Sequence, residues 1–260
     1  AFGSDGFTVG SESGYNNSGD TFVAWNWKAG GTAVSNTDGS ITSSVSANVD
    51  AGFSIVSYVG NASSGATIGH GLNSVPQLII HKNRDVTDQW SVYSSNVGTG
   101  KKLALNTPAI PESTSNHPTV PTTSVFYVGA GQEVNGNTND IIAYCFHSVE
   151  GYSKVGSYTG NGLADGTFVY TGFRPAYILF KGIDAAFNWT VYDNKRDLIN
   201  VANHLLYAGL ALTENTGSAR WDFLSNGFKA RDGGGNDNTS GQRYIYLAFA
   251  ENPFKYANAR

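Results

Sequence analysis

The sequence has one cysteine, no methionine, seven prolines and little charge. Cys145 alone excludes a disulfide framework and a cysteine-built zinc site. No run of about 18 apolar residues is present, which excludes a membrane-spanning helix. No signal peptide opens the chain, and position 1 is Ala, so it reads as a processed product or as part of something longer. Asp, Glu, Lys and Arg make up 14%, against about 25% in ordinary domains. The net charge is −4, and the longest basic cluster is Lys101-Lys102. Nucleic acid is therefore not the expected main partner, because phosphate binding needs a concentrated basic patch.

Short polar side chains and aromatics fill the space that charge leaves. There are 32 glycines, and aromatics reach 13%. That aromatic and β-branched content excludes disorder. A chain of 260 residues buries enough surface to fold without a metal or disulfide. A low-charge surface of hydroxyls and amides suits an extracellular or virion β protein.

Self-similarity is the strongest signal. Ser57-Tyr-Val-Gly-Asn61 returns as Ser157-Tyr-Thr-Gly-Asn161, 100 positions later. Pro76-Gln-Leu-Ile-Ile-His-Lys82 matches Pro175-Ala-Tyr-Ile-Leu-Phe-Lys181, and Trp90-Ser-Val-Tyr93 matches Trp189-Thr-Val-Tyr192. A closing piece, Asn139-Asp-Ile-Ile-Ala-Tyr-Cys-Phe146, corresponds to Gln242-Arg-Tyr-Ile-Tyr-Leu-Ala-Phe249. A third example is Gly19-Asp-Thr-Phe-Val-Ala-Trp-Asn-Trp27. Each follows a polar loop, preceded in turn by Phe7, Phe126 or Phe228. The expected organisation is the end of a preceding repeat plus a connector over 1–52, repeat A over 53–150 and repeat B over 151–260. Alternatively, 1–30 supplies closing strands to a neighbouring repeat.

Phe22, Ala24 and Asn26 alternate with Val23, Trp25 and Trp27, and Ile41 to Val49 alternate after the Asp38-Gly39 turn. Both are strand patterns. Leu78-Ile-Ile and Tyr177-Ile-Leu-Phe are buried-strand runs entered from a proline turn. No helical stripe appears beyond a short turn near 196–203. The fold class expected is all-β, with tandem β-sandwich (jelly-roll-like) repeats and long polar loops. Pro108, Pro111, Pro118 and Pro121 make 107–123 an extended surface loop.

Taken together, Gly52-Phe-Ser-Ile-Val-Ser-Tyr58, Ala66-Thr-Ile-Gly-His-Gly-Leu72, Lys82-Asn-Arg84, Trp90-Ser-Val-Tyr93, Glu150-Gly-Tyr-Ser-Lys154, Tyr170-Thr-Gly-Phe-Arg-Pro175 and Tyr244-Ile-Tyr-Leu-Ala-Phe-Ala-Glu-Asn-Pro-Phe254 resemble a module of tailed phages and environmental viruses. Such modules are labelled tail fibre, receptor-binding or structural virion proteins. The resemblance spans nearly the whole chain. It implies a virion location, attachment to host surface glycan, contacts with other virion proteins and homo-oligomerisation, with a trimer favoured. It carries over no catalytic residue.

Trp90, Tyr93, Trp189 and Tyr192 recur in both repeats and read as core, as do Trp25 and Trp27. The glycan candidates are the aromatics of differing loops, Tyr15, Phe187 and Trp221, with Asp184, Asn188 and Asp222 near two of them, and His117 in the proline loop. Stacking faces beside forked donors and acceptors suit carbohydrate. No cofactor, catalytic residue or metal ligand set is expected. His70 reads as a turn residue. Asp232-Gly-Gly-Gly-Asn-Asp-Asn238 reads as a hairpin tip and lacks the pattern of a calcium loop. Asp193 and Asp197 are the one carboxylate pair bearing on glycoside hydrolysis, and repeat A has Ser94 and Gly98 there. The chain is thus expected to be a non-enzymatic attachment protein, with a purely architectural decoration protein or a polysaccharide-degrading tailspike as alternatives.

Overall fold

The computed structural model describes residues 3, 6–217 and 220–252. The apolar runs form strands with both faces covered, which is why they read as continuous. A one-turn helix α1 (Ser13–Asn16) and an extended stretch lead into β1 (Val34–Asn36) and β2 (Ser43–Asn48). Next come β3 (Phe53–Val59), β4 (Ala66–Gly69), β5 (Leu78–Asn83), β6 (Ser91–Ser94), β7 (Lys101–Ala104), β8 (Glu112–Ser113) and β9 (Val125–Val128). A one-turn helix α2 (Gln132–Asn135) precedes β10 (Asp140–Phe146). The same order recurs in β11 (Ser153–Thr159), β12 (Phe168–Tyr170), β13 (Pro175–Gly182), β14 (Thr190–Asp193), β15 (Leu206–Tyr207), β16 (Trp221–Leu224) and β17 (Gly227–Ala230). Helix α3 (Gly235–Asn238) and β18 (Arg243–Ala250) close it.

The protein is all-β, and the pairings within its sheets are antiparallel. The eight-stranded sheet runs β1-β2-β3-β10-β5-β6-β7-β8, and the five-stranded sheet runs β11-β18-β13-β14-β15. The order β3-β10-β5-β6-β7 is therefore repeated strand for strand. Each large sheet is faced by a small one, β4-β9 in half A and β12-β17-β16 in half B.

Three cores follow from the strand alternation. Val56, Tyr58, Ile141, Ala143 and Cys145 meet Ile68, Phe126 and Val128 in half A. Tyr158, Phe180, Tyr244 and Tyr246 meet Val169, Trp221 and Phe228 in half B. The opposite faces of the two large sheets pack on one another through Phe53, Leu78, Ile80 and Phe146 against Leu179, Val191, Leu247 and Phe249. The molecule is thus layered small sheet, large sheet, large sheet, small sheet. Trp90 and Trp189 both join this middle core, and Trp189 Nε1 donates across it to the Ala104 carbonyl at 2.9 Å. Cys145 is buried and its thiol is pushed up to about 12 by burial, so it is not a reactive nucleophile.

The Ser-Tyr-x-Gly-Asn motif is a structural joint. Tyr58 Oη donates to the Val134 carbonyl at 2.6 Å, and Tyr158 Oη to that of Asp237 at 2.7 Å. The glycine lets two backbones touch. A Cβ on Gly60 would lie 2.2 Å from the Gly136 carbonyl oxygen, and one on Gly160 would lie 2.4 Å from that of Thr239. Gly160→Ala is therefore expected to cost about 2–3 kcal/mol and to lower Tm by roughly 5–10 °C, read by circular dichroism. An unchanged midpoint would mean that the loop yields freely.

Three expectations need correction. Residues 232–238 are not a free tip, because 235–238 form α3, whose Asp237 and Asn238 are buried. The proline stretch is not wholly surface: Asn116 and His117 turn into half A, and Glu112–Ser113 pairs with β7. Residues 22–27 are extended but pair with no strand among the described residues, so the strand expected there is not formed.

Candidate functional site

The clearest candidate is an open groove of about 350 Å³ on half A, where β1, β2, β3 and β10 meet. Strand register builds it. Ser35 pairs with Ser44, and Ser44 with Ser57, so three hydroxyls form one row across β1, β2 and β3. Neighbouring strands lie about 4.8 Å apart, which sets the spacing of the row. Thr42 adds a fourth hydroxyl, and Arg84 and Asp140 add charge of both signs. Among the described residues, the hydroxyls of Ser35, Thr42, Ser44 and Ser57 have no hydrogen-bond partner, and Arg84 and Asp140 make no ion pair. Two other lining hydroxyls are committed: Ser43 Oγ to the Gly69 carbonyl at 2.9 Å, and Tyr58 Oη to the helix carbonyl described above. Val59, 53% exposed, supplies an apolar patch. Among the described residues half B has no equivalent of β1 and β2 beside β11, so this groove is a feature of half A.

The residues singled out from the sequence do not converge on one place. Trp221 is not a loop aromatic. It is fully buried in β16, stacked on Phe180 with centroids 4.8 Å apart, because β17 and β13 close around it. Its neighbour Asp222 pairs with Arg231 at 3.1 Å. His117 is buried, 3.1 Å from Ser91 Oγ, with its ring 5.3 Å from that of His81. Burial holds it well below the usual histidine range, and His81 and Lys102 add to this. Neither Trp221 nor His117 is within reach of a large ligand.

Asp184 stands on the surface, but Arg243 holds it through both carboxylate oxygens, with Nη2 at 2.6 Å, and this guanidinium lowers its pKa. It also accepts the Arg243 amide at 2.8 Å, as Asp85 accepts that of Asp140 at 2.6 Å in half A. The role is to fix the start of β18. Phe187 is half-buried and stacks on Tyr244, 6.2 Å between centroids, and the adjacent Asn188 is half-buried. Tyr15 is 53% exposed on α1, away from these.

The carboxylate pair of the hydrolase alternative is fully engaged. Asp193 accepts Arg196 Nε at 2.7 Å, Trp25 Nε1 at 3.2 Å and the amides of Lys195 and Arg196. Asp197 accepts the His204 amide at 3.0 Å and lies 2.6 Å from His204 Nδ1. Arg196 also reaches Glu214 at 2.7 Å. This network ties the segment after β14 together, and both carboxylates are buried.

Sequence reasoning missed the groove because it looked for aromatics in loops. The available signal was the outward parity of Ser44 within the alternating Ile41–Val49 stretch.

Fold and groove together define an all-β protein with an open polar groove on one half. The chain belongs to the DUF7483 family, a domain of unknown function, whose model matches residues 1–253. Neither a curated protein nor a solved structure matches it.

Proposed function

We propose that this chain is a non-enzymatic virion surface protein of a tailed phage that attaches to host surface glycan through the groove of Ser35, Thr42, Ser44, Ser57, Arg84 and Asp140. The unpartnered hydroxyl row carries this reading. Sugar hydroxyls need donors and acceptors that are not already engaged, and the groove supplies them beside one cation and one carboxylate. The low-charge, hydroxyl-rich composition and the likeness of the motifs to phage fibre modules support the same location. A single shallow groove binds weakly, so oligomerisation, with a trimer favoured, supplies the avidity.

The test is a panel of bacterial surface polysaccharides presented to the full chain. A subset is expected to bind, with at least about tenfold weaker binding for Arg84→Ala and for the pair Ser44→Val, Ser57→Val, while melting temperature is retained. Absence of binding across the panel would favour the architectural role, and release of new reducing ends would favour the tailspike.

A further inference from the structure

Each half closes with the same unit: a short strand, a one-turn helix ending in asparagine, and a central strand flanked on both sides. In half A these are β9, α2 and β10, with β10 between β3 and β5; in half B they are β17, α3 and β18, with β18 between β11 and β13. Residues 10–27 repeat part of this unit, the one-turn helix ending in asparagine followed by an extended segment that is not a strand. Helix α1 ends on Asn16 as α2 ends on Asn135 and α3 on Asn238. The carboxamide nitrogen of each donates to the carbonyl six residues back: Asn16 to Gly10 at 2.5 Å, Asn135 to Gly129 at 3.0 Å, Asn238 to Asp232 at 2.8 Å. Thr21–Trp27 then aligns with Asp140–Phe146 and Arg243–Phe249. Its faces match as well. Trp25 and Trp27 pack on Tyr177 in the middle core, where Tyr144 and Phe146 also lie.

What surrounds this partial copy differs. Among the described residues no strand flanks 21–27. Phe22 is 52% exposed, whereas Ile141 and Tyr244 at its position are fully buried. Asn135 Oδ1 accepts the Asn61 amide at 2.9 Å, and Asn238 Oδ1 that of Asn161 at 3.0 Å. Asn16 is exposed and its Oδ1 accepts no such bond among the described residues.

We propose that residues 15–27 are a docking site for an opening half of this same module, an extended strand carrying Ser-Tyr-x-Gly-Asn that is not closed by a strand of its own. Its occupant adds beside 21–27 by strand addition. The occupant's asparagine amide donates to Asn16 Oδ1, and its tyrosine hydroxyl donates to the Tyr15 carbonyl. Phe22 and Ala24 are then covered. A second copy is the poorer occupant, because both of its opening halves are already closed by β10 and β18. The site joins modules end to end, independently of any glycan contact.

The probe is a fluorescent peptide of residues 151–163 titrated with the full chain and read by anisotropy. Saturable binding is expected, weakened at least about tenfold by Asn16→Ala or Phe22→Asp in the chain, and by Tyr158→Ala in the peptide. No binding, or binding indifferent to these changes, would overturn the proposal. Sedimentation velocity supplies the other arm: self-association that Phe22→Asp abolishes and excess peptide leaves unchanged would assign the surface to a second copy instead.

Discussion

Asn238→Ala is expected to destabilise the protein by about 3–5 kcal/mol, and Asn135→Ala by a similar amount, because each side chain satisfies several backbone groups at once. Asn238 is fully buried. Its Nδ2 donates to the carbonyls of Leu163 and Asp232 and to Asn161 Oδ1, at 2.8–3.0 Å, and its Oδ1 accepts the Asn161 amide. Asn135 makes the same set with Ser63, Gly129 and Asn61. Alanine leaves a part-buried amide and two carbonyls without these partners, and an unpaired group costs up to about 1–3 kcal/mol where it is shielded from water. Urea unfolding checks this. Asn→Asp is the stringent companion, since it retains the acceptor for the amide and loses all three donated bonds. A loss below about 1 kcal/mol for both alanine variants would mean that water replaces the network and that the joint is not what holds the small sheet to the large one.

The repeated motifs are legible in the sequence because they do local work twice. Tyr58 and Tyr158 reach the carbonyls of the one-turn helices, and the following Gly and Asn complete a joint whose requirements allow few substitutions. Strand runs are legible for the same reason that they are buried, since Leu78-Ile-Ile and Tyr177-Ile-Leu-Phe have apolar neighbours on both faces. What escaped depends on distant partners. Asp184 meets Arg243 across 59 positions, and no local pattern announces that pairing. Trp221 follows a polar stretch and begins a four-residue strand, too short to show alternation, so its burial under β13 and β17 is invisible from its neighbours. His117 sits among prolines that mark a surface loop, yet its side chain turns inward to meet Ser91 and His81. The outward parity of Ser44 marks a solvent-facing strand position, but only register places Ser35, Ser44 and Ser57 in one row, so the groove itself was illegible.

The two halves share a frame and differ beneath it, and the differences are where titratable groups are buried. Behind β14 of half B lies Asp237, fully enclosed, accepting Tyr192 Oη at 2.8 Å and Thr190 Oγ1 at 3.5 Å. Half A has Val134 at that helix position and leaves Tyr93 and Ser91 to face two histidines. Burial raises Asp237 above the ordinary carboxylate range. It lowers His81 to about 3 and His117 in the same direction. One half thus encloses an acid whose pKa burial raises, and the other encloses bases whose pKa burial lowers.

Acidification is accordingly expected to unfold half A first. His81 is fully buried and neither of its ring nitrogens has a hydrogen-bond partner among the described residues. The Ser91 backbone favours the charged form from outside hydrogen-bond geometry, and burial outweighs it. Phe126 packs edge-on against the ring, and His117 lies beside it. Lys102 of β7, paired with Glu133 of α2, adds positive charge near His117. In the unfolded chain a histidine titrates near 6.5; in the folded protein His81 stays neutral down to about 3. The unfolded state therefore binds the proton first, so the stability is complete above about pH 6.5 and is lost as pH falls toward 3. At pH 4 the loss from His81 alone is about 3 kcal/mol, and His117 adds to it. Asp237 works the other way, because its folded-state pKa is raised, so its contribution is largest in acid and is lost as pH rises through the carboxylate range. His81→Phe copies half B, where Phe180 holds the equivalent place in β13. Thermal melts from pH 7 to pH 4 should show a smaller fall in Tm for His81→Phe than for the parent chain. Hydrogen exchange at pH 4 should open β5, β6 and β9 of the parent before β13, β14 and β17. Parallel melting curves for the two proteins, or exchange that begins in half B, would refute the assignment of acid sensitivity to the histidine pair.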